Sequence, residues 1–476
     1  MKKLFCTAVL CGVVVALLAA RVEADSATYF RSDGGVAADE NQSLPDKFDS
    51  KDGYLWRQDL APGISTPCLY GDFILLTTYQ AVKKELATVA LDRHTGQIRW
   101  RRVTPATQIE AVHQVGSPAS CSPACDGRRV YVFFGSYGLL CYDLDGNQLW
   151  SKPMGPFQDE FGANSSPILV DGKVILNQDH DANNFLIAVD QKTGKTVWKT
   201  PRQGFTRSYS TPIVWDIEGT KQLVVAGSLQ LAVYDIETGR KLWWVNGISR
   251  IVDSTPVAAD GLLYVATWTP GGDQTSRISM GLFADAAQQF DKDRDGKIAK
   301  AELTEGPVLA RFFRIDLNQD GKLDKDEWKA HARVFELAQN VALAIRPGGK
   351  GDVSQTHVQW IHRRGLPVVP SPLVYRGVLY LVKDGGIVTS LNALNGRLLK
   401  QGRAAGRGNY YASPVAGDGK VYLVSERGVV SVLKTGEKWE TLSSHDFGQR
   451  IMSTPVIAEG RIYIRTEEAL FCFGNR

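Results

Sequence analysis

A strong excess of either charge is lacking in this chain: 55 Lys and Arg face 51 Asp and Glu, a net charge of +4. Without a basic run there is no electrostatic footprint for nucleic acid. Cysteine is scarce, seven in 476 residues, which excludes a small disulfide scaffold. There is no CxxC and no Cys/His group at zinc spacing. The seven His form no HExxH motif, and no GxSxG elbow marks a hydrolase nucleophile. Glycine-rich stretches such as GRAAGRGN lack the spacing of a phosphate loop. Beyond residue 24 no apolar run is long enough to span a membrane.

What is present begins with a leader. Lys2 and Lys3 precede an apolar stretch from Leu4 to Ala20, and Val22-Glu23-Ala24 offers small-residue cleavage chemistry. Residues 1–24 are read as a signal peptide cut after Ala24, which places the mature chain in a periplasmic or extracellular compartment. An uncleaved anchor is the alternative. Leu10 before Cys11 fits a lipoprotein site poorly. Five cysteines remain after cleavage: Cys68, Cys121, Cys125, Cys141 and Cys472. Cys121 and Cys125 are close enough to bridge, but buried free thiols are the favoured reading.

A repeat organises the rest. Ser-Pro or Thr-Pro recurs at Pro67, Pro123, Pro167, Pro212, Pro256, Pro372, Pro414 and Pro455, mostly 41 to 45 residues apart. Each Pro opens a short apolar run, followed by a turn, two further runs, a tight Thr-Gly-type turn and a fourth run. Trp100, Trp150, Trp198 and Trp243 each lie four residues after that turn's Gly. Four short strands per unit of this length describe a β-propeller blade. The one long step, 116 residues, shrinks to an ordinary 45 when 269–339 is set aside as an insertion between the second and third strands of blade five. The last blade lacks a fourth strand, and YLWRQDL (54–60) supplies it from the N-terminus, which closes the ring and removes free edges. The expected architecture is all-β: an eight-bladed propeller over 54–268 and 340–476. Residues 25–53 are expected to wrap its outside.

The insertion carries the clearest ligand signal. DKDRDGKIAKAE (291–302) and DLNQDGKLDKDE (316–327) both fit the twelve-residue EF-hand template of oxygen donors with Gly at position 6. The first loop offers Asp291, Asp293, Asp295, the Lys297 carbonyl and Glu302, with water at Ala299. The second offers Asp316, Asn318, Asp320, the Lys322 carbonyl, Asp324 and Glu327. Two calcium sites are expected. Ile298 and Leu323 should pair the loops, with helices before, between and after them. A solvated acidic pair, or a loop pair that binds nothing, is the bland alternative.

AVDQKTGKTVWKT (188–200) and AVYDIETGRKLWWV (232–245) resemble the tryptophan-docking repeats of pyrroloquinoline-quinone-type propellers. Such repeats occur in quinoprotein alcohol dehydrogenases and in the propeller lipoprotein of the outer-membrane β-barrel assembly machinery. With its EF-hand insertion, 54–475 resembles exported bacterial propellers of this class, most of them without an assigned activity. WD40 propellers compete poorly, because the Trp215-Asp216 pair falls at the wrong place in a blade. The resemblance implies the fold more than the cofactor. Family dehydrogenases clamp the quinone with a disulfide of adjacent cysteines beside a channel calcium. This chain has no Cys-Cys pair, and its recognisable calcium ligands lie in the insertion, so both departures count against the quinone.

The inter-blade loops add candidates at the mouth: Arg207 with Tyr209, Arg250 with Asp253, Asn409 with Tyr410, Arg450, and Asp159 with Glu160. Arg207, Arg250 and Arg450, with Asp253 beside them, could hold an anionic ligand by bidentate contacts. Rim arginines paired to neighbouring acids are the favoured alternative. His180, between Asp179 and Asp181, could join a metal site, but an exposed loop histidine without a role is the simpler expectation. Two function classes follow. One is a calcium-binding exported platform that meets a protein or carbohydrate partner at the mouth. The other is a quinoprotein-type oxidoreductase, or another enzyme, working in the channel.

Overall fold

The computed structural model describes residues 27–475 apart from 38–41, 49, 52, 160, 182, 203 and 271–279. The expected leader with its cleavage after Ala24 falls outside the described residues, as does Glu160. Eight antiparallel sheets follow one another along the chain, each starting with a short innermost strand. Blade one is typical, with strands Cys68–Tyr70, Phe73–Gln80, Glu85–Asp92 and Ile98–Val103. The middle strands are buried on both faces because each blade stacks against two neighbours. In blade three all six residues of Lys173–Gln178 are buried. Outer strands alternate instead, and Thr196–Pro201 buries Trp198 while exposing the residues beside it.

The tryptophans join blade to blade. Trp198 Nε1 donates to the Ile236 carbonyl of the next blade at 2.9 Å. The same contact recurs from Trp56 to Arg93, Trp100 to Leu144, Trp150 to Gln191 and Trp360 to Ala393, at 2.7 to 3.1 Å. Each of these rings lies over the turn glycine of the following blade. A Cβ on Gly239 would sit 2.5 Å from the Trp198 ring, and its φ of +69° is a further barrier to any other residue.

The Ser/Thr-Pro repeat has an equally local cause. From Ser122 onward, the residue before each Pro turns its hydroxyl toward the blade before it. Thr66 N donates to Ser122 Oγ, Ser122 N to Ser166 Oγ, and Ser166 N to Thr211 Oγ1, at 2.9 to 3.1 Å. The chain of bonds continues through Thr255, Ser371 and Ser413 to Thr454. A ring of hydroxyls thus satisfies amides that sheet pairing leaves free around the axis. The ring closes as expected: Trp56–Asp59 pairs antiparallel with Ala469–Gly474, placing Trp56 opposite Cys472.

Two features depart from expectation. The segment 27–37 does not wrap the outside. Ala27 and Thr28 accept from the Leu69 and Cys125 amides of blades one and two. Arg31 donates to the Pro372 and Pro414 carbonyls of blades six and seven at 2.8 and 3.0 Å. A stretch this short reaches opposite sides of the ring only by crossing it, so it plugs the channel. Leu44 and Phe48 further on do lie outside, against Tyr422 and Phe473. In blade five, the connection after Val341–Ile345 lays Gly351–Asp352 parallel to the outer strand of blade four, with Trp243 opposite Gly351. That added strand covers an edge. It also takes the place of the usual docking turn, so Trp243 Nε1 bonds Gln222 Oε1 of its own blade at 3.0 Å.

All five described cysteines are buried and unbridged, and Cys121 and Cys125 form no disulfide. Burial pushes the Cys125 thiol up to about 12, which leaves it inert at neutral pH. No helix among the described residues is long and apolar enough to cross a membrane.

Candidate functional site

The EF-hand pair leaves blade five after the strand Leu262–Thr267 and returns to it at Val341–Ile345. Asn340 joins its two ends. Its Oδ1 accepts from Thr269 N at 2.9 Å and Ser249 Oγ at 2.7 Å, and its Nδ2 donates to Thr269 O at 3.1 Å. Helix Phe283–Phe290 precedes the first loop, and Lys325–Leu337 follows the second. Between the loops the expected helix is broken at Arg311 into Pro307–Ala310 and Phe312–Ile315. Ile298 pairs opposite Leu323, and both are buried with Phe312, Ile315 and Trp328 in a small core of their own.

The two loops fold alike. Gly296 N donates to Asp291 Oδ2 at 2.9 Å, and Gly321 N to Asp316 Oδ2 at 3.0 Å. The closing glutamates arch back over the loops: Glu302 accepts from the Lys292 and Ala299 amides, and Glu327 from the Leu317, Asn318 and Asp324 amides. In the first loop, carboxylate oxygens of Asp291, Asp293 and Glu302 lie within 4.8 Å of one another, spacing a cation can bridge. In the second, Asp316 Oδ1 is buried without a hydrogen-bond partner, an arrangement that is costly unless a cation takes it up. The donors are oxygens, as hard calcium requires, so both loops fit the ion.

Electrostatics differ between the loops. The Ala299 amide heads the contacts that hold Glu302 below the usual carboxylate range, whereas desolvation raises Glu327. Lys322 reaches across to Asp295, and Lys297 to Asp320 at 2.9 Å, lowering both carboxylates. These exposed pairs are worth little and yield readily to a divalent ion. Asp324 does a second job: its Oδ1 accepts from Asp326 N and Glu327 N and caps the following helix. Position 4 carried no sequence signal, yet Arg294 and Gln319 both adopt a positive φ there, 61° and 59°.

The module lies against the mouth. Phe313 packs under the Arg207 guanidinium at 5.1 Å. Arg207, Arg250, Phe313 and His331 line one crevice, and Arg250 Nε donates to the Pro270 carbonyl at 3.3 Å. Asn318, Asp324 and Glu327 of the second EF-hand loop share a cleft of about 650 Å³ with Asn184, Phe185 and Thr206 of the propeller.

The rim candidates do not converge. Arg207 pairs with buried Asp181, and Arg450 with Glu426 at 2.5 Å. Arg450 lies in a different pocket from Arg207 and Arg250. His180 is buried, not exposed: it stacks on Phe157 at 4.2 Å, and its ring nitrogens meet Asp159 Oδ2 at 3.0 Å and Gln178 Oε1 at 2.8 Å. Asp179 is committed to Arg202 through two bonds of 2.7 Å. The motif around His180 is therefore a buried polar network that rigidifies the loop.

At the axis the hydroxyl ring lines a cavity of about 460 Å³ with Phe30 of the plug, Phe161, Tyr209, Tyr411, Asp253 and Asp384. Asp253 is pushed up to about 7 by desolvation and then by Asp159. Glu110, deeper and unrecognised in the sequence, is pushed up to about 8 by burial and then by Asp159. Neither of its oxygens makes a well-formed hydrogen bond. The cavity wall contains two carboxylates and neither Lys nor Arg. An anionic ligand would therefore meet no cationic Lys or Arg side chain in this wall.

Comparison with known proteins places these features. A family model described as outer membrane protein assembly factor BamB matches residues 41–278 and 348–476. An EF-hand model matches 285–306 and 310–330. The outer membrane protein assembly factor BamB of Yersinia pestis is 20% identical over 418 residues, covering 82% of this chain and 89% of that one. The quinohemoprotein alcohol dehydrogenase ADH IIB of Pseudomonas putida is 24% identical over 153 residues, only 31% of this chain and 22% of that enzyme. The crystal structure of BamB from Moraxella catarrhalis superposes with a TM-score of 0.54 at 11% identity, covering 88% of this chain and 98% of that one, and shares the fold. With both halves of the propeller matched on either side of the EF-hand pair, the chain belongs to the family described as outer membrane protein assembly factor BamB.

Proposed function

We propose that this protein is an exported, calcium-binding propeller that acts as a binding or assembly platform, with two calcium ions held by the EF-hand loops. The observation that carries this reading is the seating of the second calcium loop and Phe313 against the blade-three and blade-four loops at the mouth. A partner docking there would meet the module and the propeller rim together. Export to the periplasm or the cell exterior, after cleavage at Ala24, is part of the proposal and is supported by the outer-membrane assembly factors that the chain resembles. Calcium serves structure here. Extracellular modules of this type bind with Kd of about 10⁻⁴–10⁻³ M, which suits permanent occupancy and not signalling.

The test is limited proteolysis of the mature protein in calcium and in chelator. Calcium should protect the segment between Thr267 and Val341 while the propeller resists in both conditions. Equal cleavage of that segment in both conditions would sink the platform reading. The oxidoreductase reading rests on the short match to the alcohol dehydrogenase. The acidic cavity weighs against it, and titration with pyrroloquinoline quinone is expected to give no saturable quenching of tryptophan fluorescence. Saturable quenching would revive it.

A further inference from the structure

Five arginines are buried among the described residues: Arg31, Arg93, Arg202, Arg207 and Arg465. Four of them have an acid at hand. Arg93 meets Glu459 at 3.3 Å, Arg202 meets Asp179, Arg207 meets Asp181, and Asp33 offsets the charge of Arg31. Arg465 is the exception. It is 1% exposed, and its hydrogen bonds go to neutral atoms: Nη1 to Ser65 O at 3.1 Å and Ser65 Oγ at 2.7 Å, and Nη2 to Thr77 O at 2.8 Å. Desolvation pulls the guanidinium down to about 9, and no carboxylate among the described residues restores it. A buried charge without a counter-ion is among the costlier arrangements in a protein.

Arg465 is also not sealed in. It lines a pocket of about 210 Å³ where blade eight meets blade one, together with Gly63, Gln114, Ser117 and Arg450. Arg450 brings a second guanidinium, shared with Glu426 through Nε at 3.0 Å and Nη2 at 2.5 Å. Glu467 also lines the pocket but is exposed and makes no ion pair with Arg465. With Arg450 paired to Glu426 and Glu467 turned to solvent, Arg465 presents an uncompensated guanidinium to a small polar space that an anion of a few atoms would complement.

We propose that the pocket beside Arg465 binds a small oxyanion, of the carboxylate or sulfate class, between the guanidinium groups of Arg465 and Arg450. The three bonds to blade one hold Arg465 in place for this role while fastening the ring closure. The bound anion supplies the counter-charge that the chain itself omits.

Isothermal calorimetry on the calcium-loaded protein tests this with acetate and sulfate titrated separately against chloride at constant ionic strength. Calorimetry is preferred to a melting curve because sulfate raises melting temperatures without binding. At least one of the two anions should give saturable heat with Kd of about 1 mM or tighter. Acetate alone would mark a carboxylate-bearing ligand, and sulfate alone an inorganic oxyanion. Arg465→Lys, which keeps the charge but loses the planar fork, should weaken binding about tenfold or more. Where that variant does not fold, Arg450→Gln serves, with a loss of about tenfold expected. No saturable heat from the unaltered protein overturns the proposal. So does binding unchanged in the folded variant, which would leave Arg465 as a fastening of the ring alone.

Discussion

At the residue scale, Glu110 makes a definite prediction about pH. Its folded-state value is pushed up to about 8 from an ordinary 4.5. Between those values the folded protein keeps a proton that the unfolded chain has released. Stability therefore falls as pH rises through this window, and the full cost is present above pH 8. Asp253, raised from 3.8 to about 7, acts in the same direction. For Glu110 the shift corresponds to a cost on the order of 5 kcal/mol. Glu110→Gln should raise the melting temperature above pH 8 and leave it nearly unchanged near pH 5. An unaltered pH slope in the variant would show that the carboxyl is already ionised in the fold. Nothing near Glu110 in the sequence announces this, because Asp159 and Ala163 come from the next inter-blade connection. Arg465 was equally hidden, since its partners Ser65 and Thr77 lie 400 and 388 residues away. The EF-hand loops were legible because the whole motif falls within twelve consecutive residues.

At the element scale, the docking tryptophan and the turn glycine form one joint between blades. Trp198→Ala should cost about 3–5 kcal/mol, since it removes a buried indole and its bond to Ile236. Gly239→Ala should cost about 2 kcal/mol or more, because the new methyl meets the Trp198 ring and the turn needs a positive φ. Both are read by chemical denaturation. A cost under about 0.5 kcal/mol for either would mean that the joint is not where blades couple. This level was the most legible in the sequence. Ser/Thr-Pro marks the inner hydroxyl ring, and the Gly-to-Trp spacing marks the outer joint. The reading failed where blade five breaks its own rule. There the strand Gly351–Asp352 replaces the docking turn, and Trp243 turns to Gln222 of its own blade. Two residues with no apolar periodicity give no strand signal. His180 was misjudged for a related reason: its neighbours Phe157 and Asp159 come from another blade connection, and they bury it.

At the scale of the whole molecule, the propeller is closed twice. Trp56–Asp59 completes blade eight at the rim, and 27–37 crosses the channel, where Phe30 becomes part of the wall of the axial cavity. The plug could not be read from the sequence because Arg31 is held by backbone carbonyls 341 and 383 residues away, which any residue could supply. The EF-hand module is tied at its neck by Asn340 and packed on Arg207. Calcium titration by calorimetry, on the protein and on its Glu302→Gln, Glu327→Gln double variant, tests this account most directly. The protein should bind two calcium ions with Kd of about 10⁻⁴–10⁻³ M or tighter, and the double variant should lose at least tenfold in affinity at both sites. No saturable binding, or affinity unchanged in the variant, would contradict it.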